Sequence, residues 1–132
     1  KQSLKTIKNG KILGIFPEGG ITSPTLTEAK PGAVFLASMA KATVLPVSVR
    51  GASNAWDNIF RGVRSRIHIN IGKPFGPFDV KGSKEEKSKK LETASRELMC
   101  RIAALLPDEK HGDFSGDPSI PVYQKENRLQ TI

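Results

Sequence analysis

The sequence is short of the groups that usually do chemistry. Its 132 residues include one cysteine, two histidines, one tryptophan and one tyrosine. A lone cysteine, Cys100, excludes an internal disulfide and a cysteine-ligated metal cluster. Flanked by Met99 and close to Ile102, it has the setting of a packed thiol. No apolar run reaches the roughly 18 residues that a membrane-spanning helix needs. No signal peptide is visible, and neither internal repeats nor low-complexity tracts occur. His68 falls on the polar face of an alternating stretch, as a solvated or structurally bonded histidine. His111 lies near Asp113 and Asp117 in a turn-rich stretch, which explains it better than a metal site does. No metal and no bound cofactor is implied.

Charge is plentiful and unevenly spread. The formal net charge is +8. Residues 41–75 hold Lys41, Arg50, Arg61, Arg64, Arg66 and Lys73 against Asp57 alone, whereas the stretch after Pro107 is net acidic. A basic centre favours anionic partners: phosphate-bearing small molecules, anionic lipid or nucleic acid. In "AWDNIFRGVRSR" the bulky Trp56, Ile59 and Phe60 stand beside arginines. That mix suits either core packing beneath a basic surface or an anionic membrane interface.

Hydrophobic patterning predicts an α/β fold in the order helix end, strand, helix, strand, strand, helix. The opening closes a helix at Asn9-Gly10. Residues 11–16, "KILGIF", read as a short strand buried on both faces. Pro31 starts a helix over 31–41 with Val34, Phe35, Ala37 and Met39 available to the core. Residues 43–49 read as a second buried strand, made irregular by Pro46. One helical turn is expected after Ser53 or Asn54. In "RIHINIGK" Ile67, Ile69 and Ile71 alternate with polar residues, the pattern of a half-buried strand. Ser83 and Glu86 form a capping box, and apolar residues from Leu91 to Leu105 recur at helical spacing until Pro107. Residues 1–107 are read as the domain part, and 108–132 as a polar C-terminal tail. A strand–helix–strand order implies a right-handed parallel crossover. Three strands are few for such a sheet, and the chain opens on Lys1 rather than methionine, so a preceding portion is expected. An uncovered apolar sheet edge and self-association are expected with it.

The chemistry concentrates in "GIFPEGGITSPT", residues 14–25. Ligands of open α/β sheets gather at the carboxyl ends of strands, where Pro17 to Ser23 would lie. Gly19 and Gly20 let an anion approach backbone N–H groups, and Glu18 is an acceptor placed for a hydroxyl or a cationic donor. A tight turn that needs glycine for its backbone angles alone would look the same.

Phe16, Pro17, Glu18 and Gly19, followed at family spacing by Lys30–Gly32 and by Val44, Leu45, Pro46 and Val47, resemble the third and fourth motifs of the glycerolipid acyltransferase family. That family includes the 1-acylglycerol-3-phosphate acyltransferases. The resemblance covers about residues 1–110. It implies transfer of a fatty acyl group from acyl-CoA or acyl carrier protein to a lysophospholipid hydroxyl at a membrane surface. It implies an acceptor pocket wall of Glu18, Gly19 and Gly20, with Phe16 and Pro17 setting its shape and Pro46 supporting a neighbouring strand. It also implies a place on the cytoplasmic side of a membrane, peripheral or anchored through a segment before residue 1.

Two departures from the family pattern matter. Gly20-Ile21 replaces the usual Thr-Arg, which leaves the acceptor phosphate to backbone amides or to bases such as Arg50 or Lys73. The family's catalytic pair is a histidine with an aspartate five positions on. His68 is followed at that spacing by Lys73 and His111 by Gly116, so no catalytic residue is assigned within the chain. The chain is therefore expected to be part of an enzyme and inactive alone. The alternative is a non-catalytic basic module that binds acidic lipid or nucleic acid through Arg61, Arg64, Arg66 and Lys73. No stacking platform or reading motif for a specific nucleic acid is present.

Overall fold

The computed structural model describes residues 2–20 and 23–128. Seven regular elements follow one another: α1 (Gln2–Lys8), α2 (Gly32–Ala40), β1 (Val47–Arg50), α3 (Ala55–Phe60), β2 (His68–Ile71), α4 (Lys84–Ala103) and α5 (Ser119–Arg128). Two 3-10 turns, Asp108–Lys110 and Gly112–Phe114, join α4 to α5. The fold is thus mixed α/β. None of its described helices is long and apolar enough to cross a membrane.

The organising element is α4. Ser83 accepts from the Glu86 N–H, and Glu86 returns a bond to the Ser83 N–H, so the predicted capping box is formed. The helical spacing then lays Ala94, Leu98, Met99, Ile102 and Ala103 along one buried stripe. Leu26, Val34, Phe75, Phe114 and Ile120 pack on that stripe. Cys100 lies within it, and burial, reinforced by the nearby Asp117 charge, pushes its thiol up to about 11. It is therefore an inert packed thiol at neutral pH.

Arg101 joins three parts of the chain. Its guanidinium bonds Glu97 one turn back and Glu126 on α5, and lies over the rings of Phe75 (4.5 Å) and Tyr123 (4.1 Å). The residues read as a polar tail are packed accordingly. Phe114 and Ile120 enter the core, and His111 is buried with Nε2 3.1 Å from the Leu106 carbonyl.

The sheet departs most from expectation. It has two strands, antiparallel, with Val47 opposite Ile71 and Val49 opposite Ile69. Residues 11–16 form no strand; Ile12 is 98% and Phe16 85% exposed. An extended segment gains its backbone bonds only from a neighbouring strand, and β1 pairs with β2 instead. Parallel strand–helix–strand pairing between 11–16 and β1 is absent among the described residues. As expected, the ladder is irregular at Pro46: an isolated Val44–Phe75 bridge precedes it, and β1 resumes at Val47.

The apolar face of the sheet is also turned the other way. Val47, Val49, Ile69 and Ile71 are exposed. Ser48 is buried, and its hydroxyl and the Asn70 amide both donate to the Leu105 carbonyl just past α4. That carbonyl has no intrahelical partner, so it draws the polar side of the strands inward. On α2, likewise, Val34 and Ala37 are buried while Phe35 and Met39 stand about half exposed.

Candidate functional site

The Pro-Glu-Gly corner is a tight turn. The Gly19 N–H donates to the Phe16 carbonyl (3.0 Å), and Gly19 adopts a left-handed φ of +77°. Proline pre-sets the angle at the second position, and glycine takes the conformation that other residues resist. The turn is tied to the loop before α2 in two ways. The Lys30 N–H donates to the Pro17 carbonyl (2.9 Å). Glu18 Oε2 accepts from both the Thr27 N–H (2.9 Å) and the Thr27 hydroxyl (3.0 Å).

Two features of the corner were not foreseen from the sequence. Glu18 works as a staple between the turn and Thr27, with one oxygen committed; Oε1 makes no hydrogen bond among the described residues. Lys30 lies across the turn. A β-carbon on Gly19 would sit 2.8 Å from Lys30 Cδ and Cε and 2.9 Å from Nζ. The ammonium therefore rides over the glycine, without an acidic partner among the described residues. No local sequence pattern identified Lys30 beyond its place before Pro31. Gly20 is open, with nothing within 4 Å of where its β-carbon would stand. Ile21, which stands where the resemblance implies an arginine, lies outside the described residues.

The structure brings Phe16, Pro17, Glu18, Gly19 and Gly20 together and places the other candidates elsewhere. Pro46 is buried, and its carbonyl accepts from the Gly72 N–H (2.9 Å). Lys73 is exposed, and its N–H donates to Asn127 on α5 (2.9 Å). Arg50 stands opposite His68 across the strands, and its Nε is shut from solvent without a hydrogen-bond partner among the described residues. A hollow of about 310 Å³ is lined by Asn70, Ile71, Leu105 and Asn127 among others. A second hollow of about 390 Å³ lies behind the loop that Glu18 staples. It is lined by Glu28, Ala29 and Pro31, by the Leu91–Arg96 side of α4, and by Phe114. None of the eight sequence candidates lines either hollow.

The corner can therefore offer an incoming group a carboxylate oxygen, an ammonium and an unobstructed glycine backbone. That set suits a polar anionic headgroup carrying a hydroxyl.

Comparison with known proteins gives a family match over the segment that holds this corner. The family described as Acyltransferase matches over residues 1–50. A 79-residue stretch is 35% identical to the 1-acyl-sn-glycerol-3-phosphate acyltransferase of Bacillus subtilis (strain 168), covering 60% of this chain and 38% of that protein. The match thus spans about two-fifths of the relative's length. No solved structure matches the chain. Over its first 50 residues, with the Pro-Glu-Gly corner inside them, the chain is similar to the acyltransferase family.

Proposed function

We propose that the chain is the acceptor-binding part of an enzyme that moves a fatty acyl group from acyl-CoA or acyl carrier protein to a lysophospholipid, 1-acylglycerol-3-phosphate in the first place. The observation that carries this reading is the corner itself. Glu18, Lys30 and open Gly20 sit together in the segment that matches the acyltransferase family.

In the reaction the acceptor hydroxyl attacks the thioester carbonyl. A new C–O bond forms, the C–S bond breaks, the hydroxyl proton passes to a base, and the leaving thiolate takes up a proton. An ordinary carboxylate is too weak a base for an alcohol, and a histidine near neutral pKa is suited to the task. Glu18 is therefore a positioning group. The base is a histidine, oriented by an aspartate, from a segment outside these 132 residues, and the chain alone is inactive. Lys30 takes over the acceptor phosphate from the missing arginine, as a compact charge in place of a planar fork.

The exposed run Ile12–Phe16 and the apolar face of β1 and β2 are where the remainder of such a domain packs. The protein works at the cytoplasmic side of a membrane, peripheral or anchored through that remainder.

The test is acyl transfer to lysophosphatidic acid by the full-length protein from its gene. Thr27→Val removes one bond to the staple and keeps the carboxylate; Glu18→Ala removes both. Glu18→Ala should cost at least about tenfold more activity than Thr27→Val, since one lost charge-assisted hydrogen bond is worth about that factor. Lys30→Gln should raise KM for the acceptor and leave KM for the donor unchanged. Activity that survives Glu18→Ala and Lys30→Gln intact would remove the assignment.

A further inference from the structure

The connection between β1 and β2 carries an uncovered apolar stripe. Trp56, Ile59 and Phe60 share one face of α3 by helical spacing, Val63 follows just past its end, and all four are exposed, Phe60 by 86% and Trp56 by 74%. Such a stripe normally turns inward to the core. Here it is held outward by a fixed backbone.

The end of α3 is closed by a paired backbone motif. The Val63 N–H donates to the Asn58 carbonyl (2.8 Å) and the Gly62 N–H to the Ile59 carbonyl (3.1 Å), with Gly62 at φ +68°. The Asn58 amide then bonds the Ser65 hydroxyl (2.9 Å), which fixes the chain beyond. The stripe is a preformed surface rather than a frayed loop.

Its charge surroundings say what it fits. Arg61, Arg64 and Arg66 interrupt and follow the stripe, all exposed, and none has an ion-pair partner among the described residues. Arg96 and Arg101, by contrast, are paired with Asp117, Glu97 and Glu126. Bulky apolar side chains beside unneutralised guanidinium groups complement a surface that is apolar beneath and anionic on top. A protein partner would answer the apolar stripe but needs acidic residues for the arginines. A duplex nucleic acid would answer the arginines and leave the stripe wet.

We infer that α3 and the segment to Arg66 are a membrane-docking element. Trp56, Ile59, Phe60 and Val63 enter the headgroup–acyl boundary of an anionic phospholipid bilayer, and Arg61, Arg64 and Arg66 hold its phosphates. This rests on the acyltransferase reading in one respect: a lysophospholipid acceptor resides in such a bilayer.

Trp56 is the sequence's one tryptophan, so it reports on this surface directly. The experiment is co-sedimentation of the chain with phosphatidylcholine vesicles, with and without phosphatidylglycerol, alongside Trp56 emission. Binding is expected only with phosphatidylglycerol present, with a blue shift of Trp56 emission. Phe60→Asp should weaken binding about tenfold or more. Arg61→Gln and Arg64→Gln should each weaken it about fivefold, and added salt should weaken it too. All three sites are exposed, and unchanged circular dichroism should accompany each variant.

Four outcomes would overturn the inference: no binding to anionic vesicles; binding without a Trp56 shift; binding that survives Phe60→Asp; and an equal Trp56 shift produced by a soluble oligonucleotide or by raising protein concentration alone. The two readings separate cleanly. Loss of docking, with the full-length protein still acylating a short-chain, water-soluble lysophosphatidate, removes the docking element only. Docking by a protein that acylates nothing removes the enzyme only.

Discussion

Ser48 and Asn70 face each other across the two strands and donate to one acceptor, the carbonyl of Leu105, at 3.1 and 2.9 Å. Two side chains from different strands thus satisfy the oxygen that α4 leaves unpaired. That junction sets which face of the sheet looks inward.

A shared acceptor gives a specific signature in a double-mutant cycle. Ser48→Ala or Asn70→Ala alone leaves the carbonyl one donor and should cost about 1 kcal/mol. Both together orphan it, so the double variant should lose about 1 kcal/mol or more beyond the sum. Urea unfolding of the four proteins measures this. Simple additivity would mean that the carbonyl finds water instead.

The loop stapled by Glu18 is anchored at its other side by Gly112. The Leu26 N–H donates to the Lys110 carbonyl and the Asp113 N–H to the Leu26 carbonyl, both at 3.1 Å. A β-carbon on Gly112, at φ +55°, would stand 2.0 Å from the Leu26 oxygen. Gly112→Ala should therefore break both bonds and cost about 2–3 kcal/mol. Gly116→Ala is the control: it has a φ of +79° but nothing within 4 Å, and should cost about 1 kcal/mol. Equal losses in the two variants would show that backbone angle, not crowding, governs both.

Asp117 makes stability depend on acid. The Ser119 N–H bonded to its carboxylate, together with Arg96, holds its pKa below the usual range against the opposing effect of burial. The ionised form favours the folded state, so this stabilisation is fully present above the unfolded value of about 3.9 and is lost as pH falls through the lower folded value. Asp117→Asn should lower stability at pH 7 by about 1–3 kcal/mol, and the gap from the unmodified protein should close below about pH 4. A gap that stays constant on acidification would remove the titration and leave only packing.

What was legible in the sequence was what depends on neighbours along the chain. The Ser83–Glu86 box and the stripe from Leu91 to Leu105 predicted α4, which ends at Ala103, two residues short of that stripe, because a helix satisfies its own backbone. The period of Ile67, Ile69 and Ile71 was legible too, but not its direction, which the distant Leu105 carbonyl decides. Residues 11–16 carry a strand pattern that pairs with nothing in the described structure, since pairing belongs to the partner as much as to the segment. The packing of 108–128 escaped notice because few residues carry it, Phe114 and Ile120 foremost. Asp117-Pro118, an acid followed by proline, was the available signal for the helix that follows. At the corner, the turn itself was legible from Pro17, Glu18 and Gly19. Thr27 and Lys30 were not, because they reach it from nine and eleven positions on.

Arg101 touches Phe75, Glu97, Tyr123 and Glu126 with one planar cation. Those four positions are therefore coupled through a single side chain, across about two-fifths of the sequence. A change at one alters what is tolerated at the other three, so substitutions among them should drift in concert and resist being grafted one at a time from a related protein.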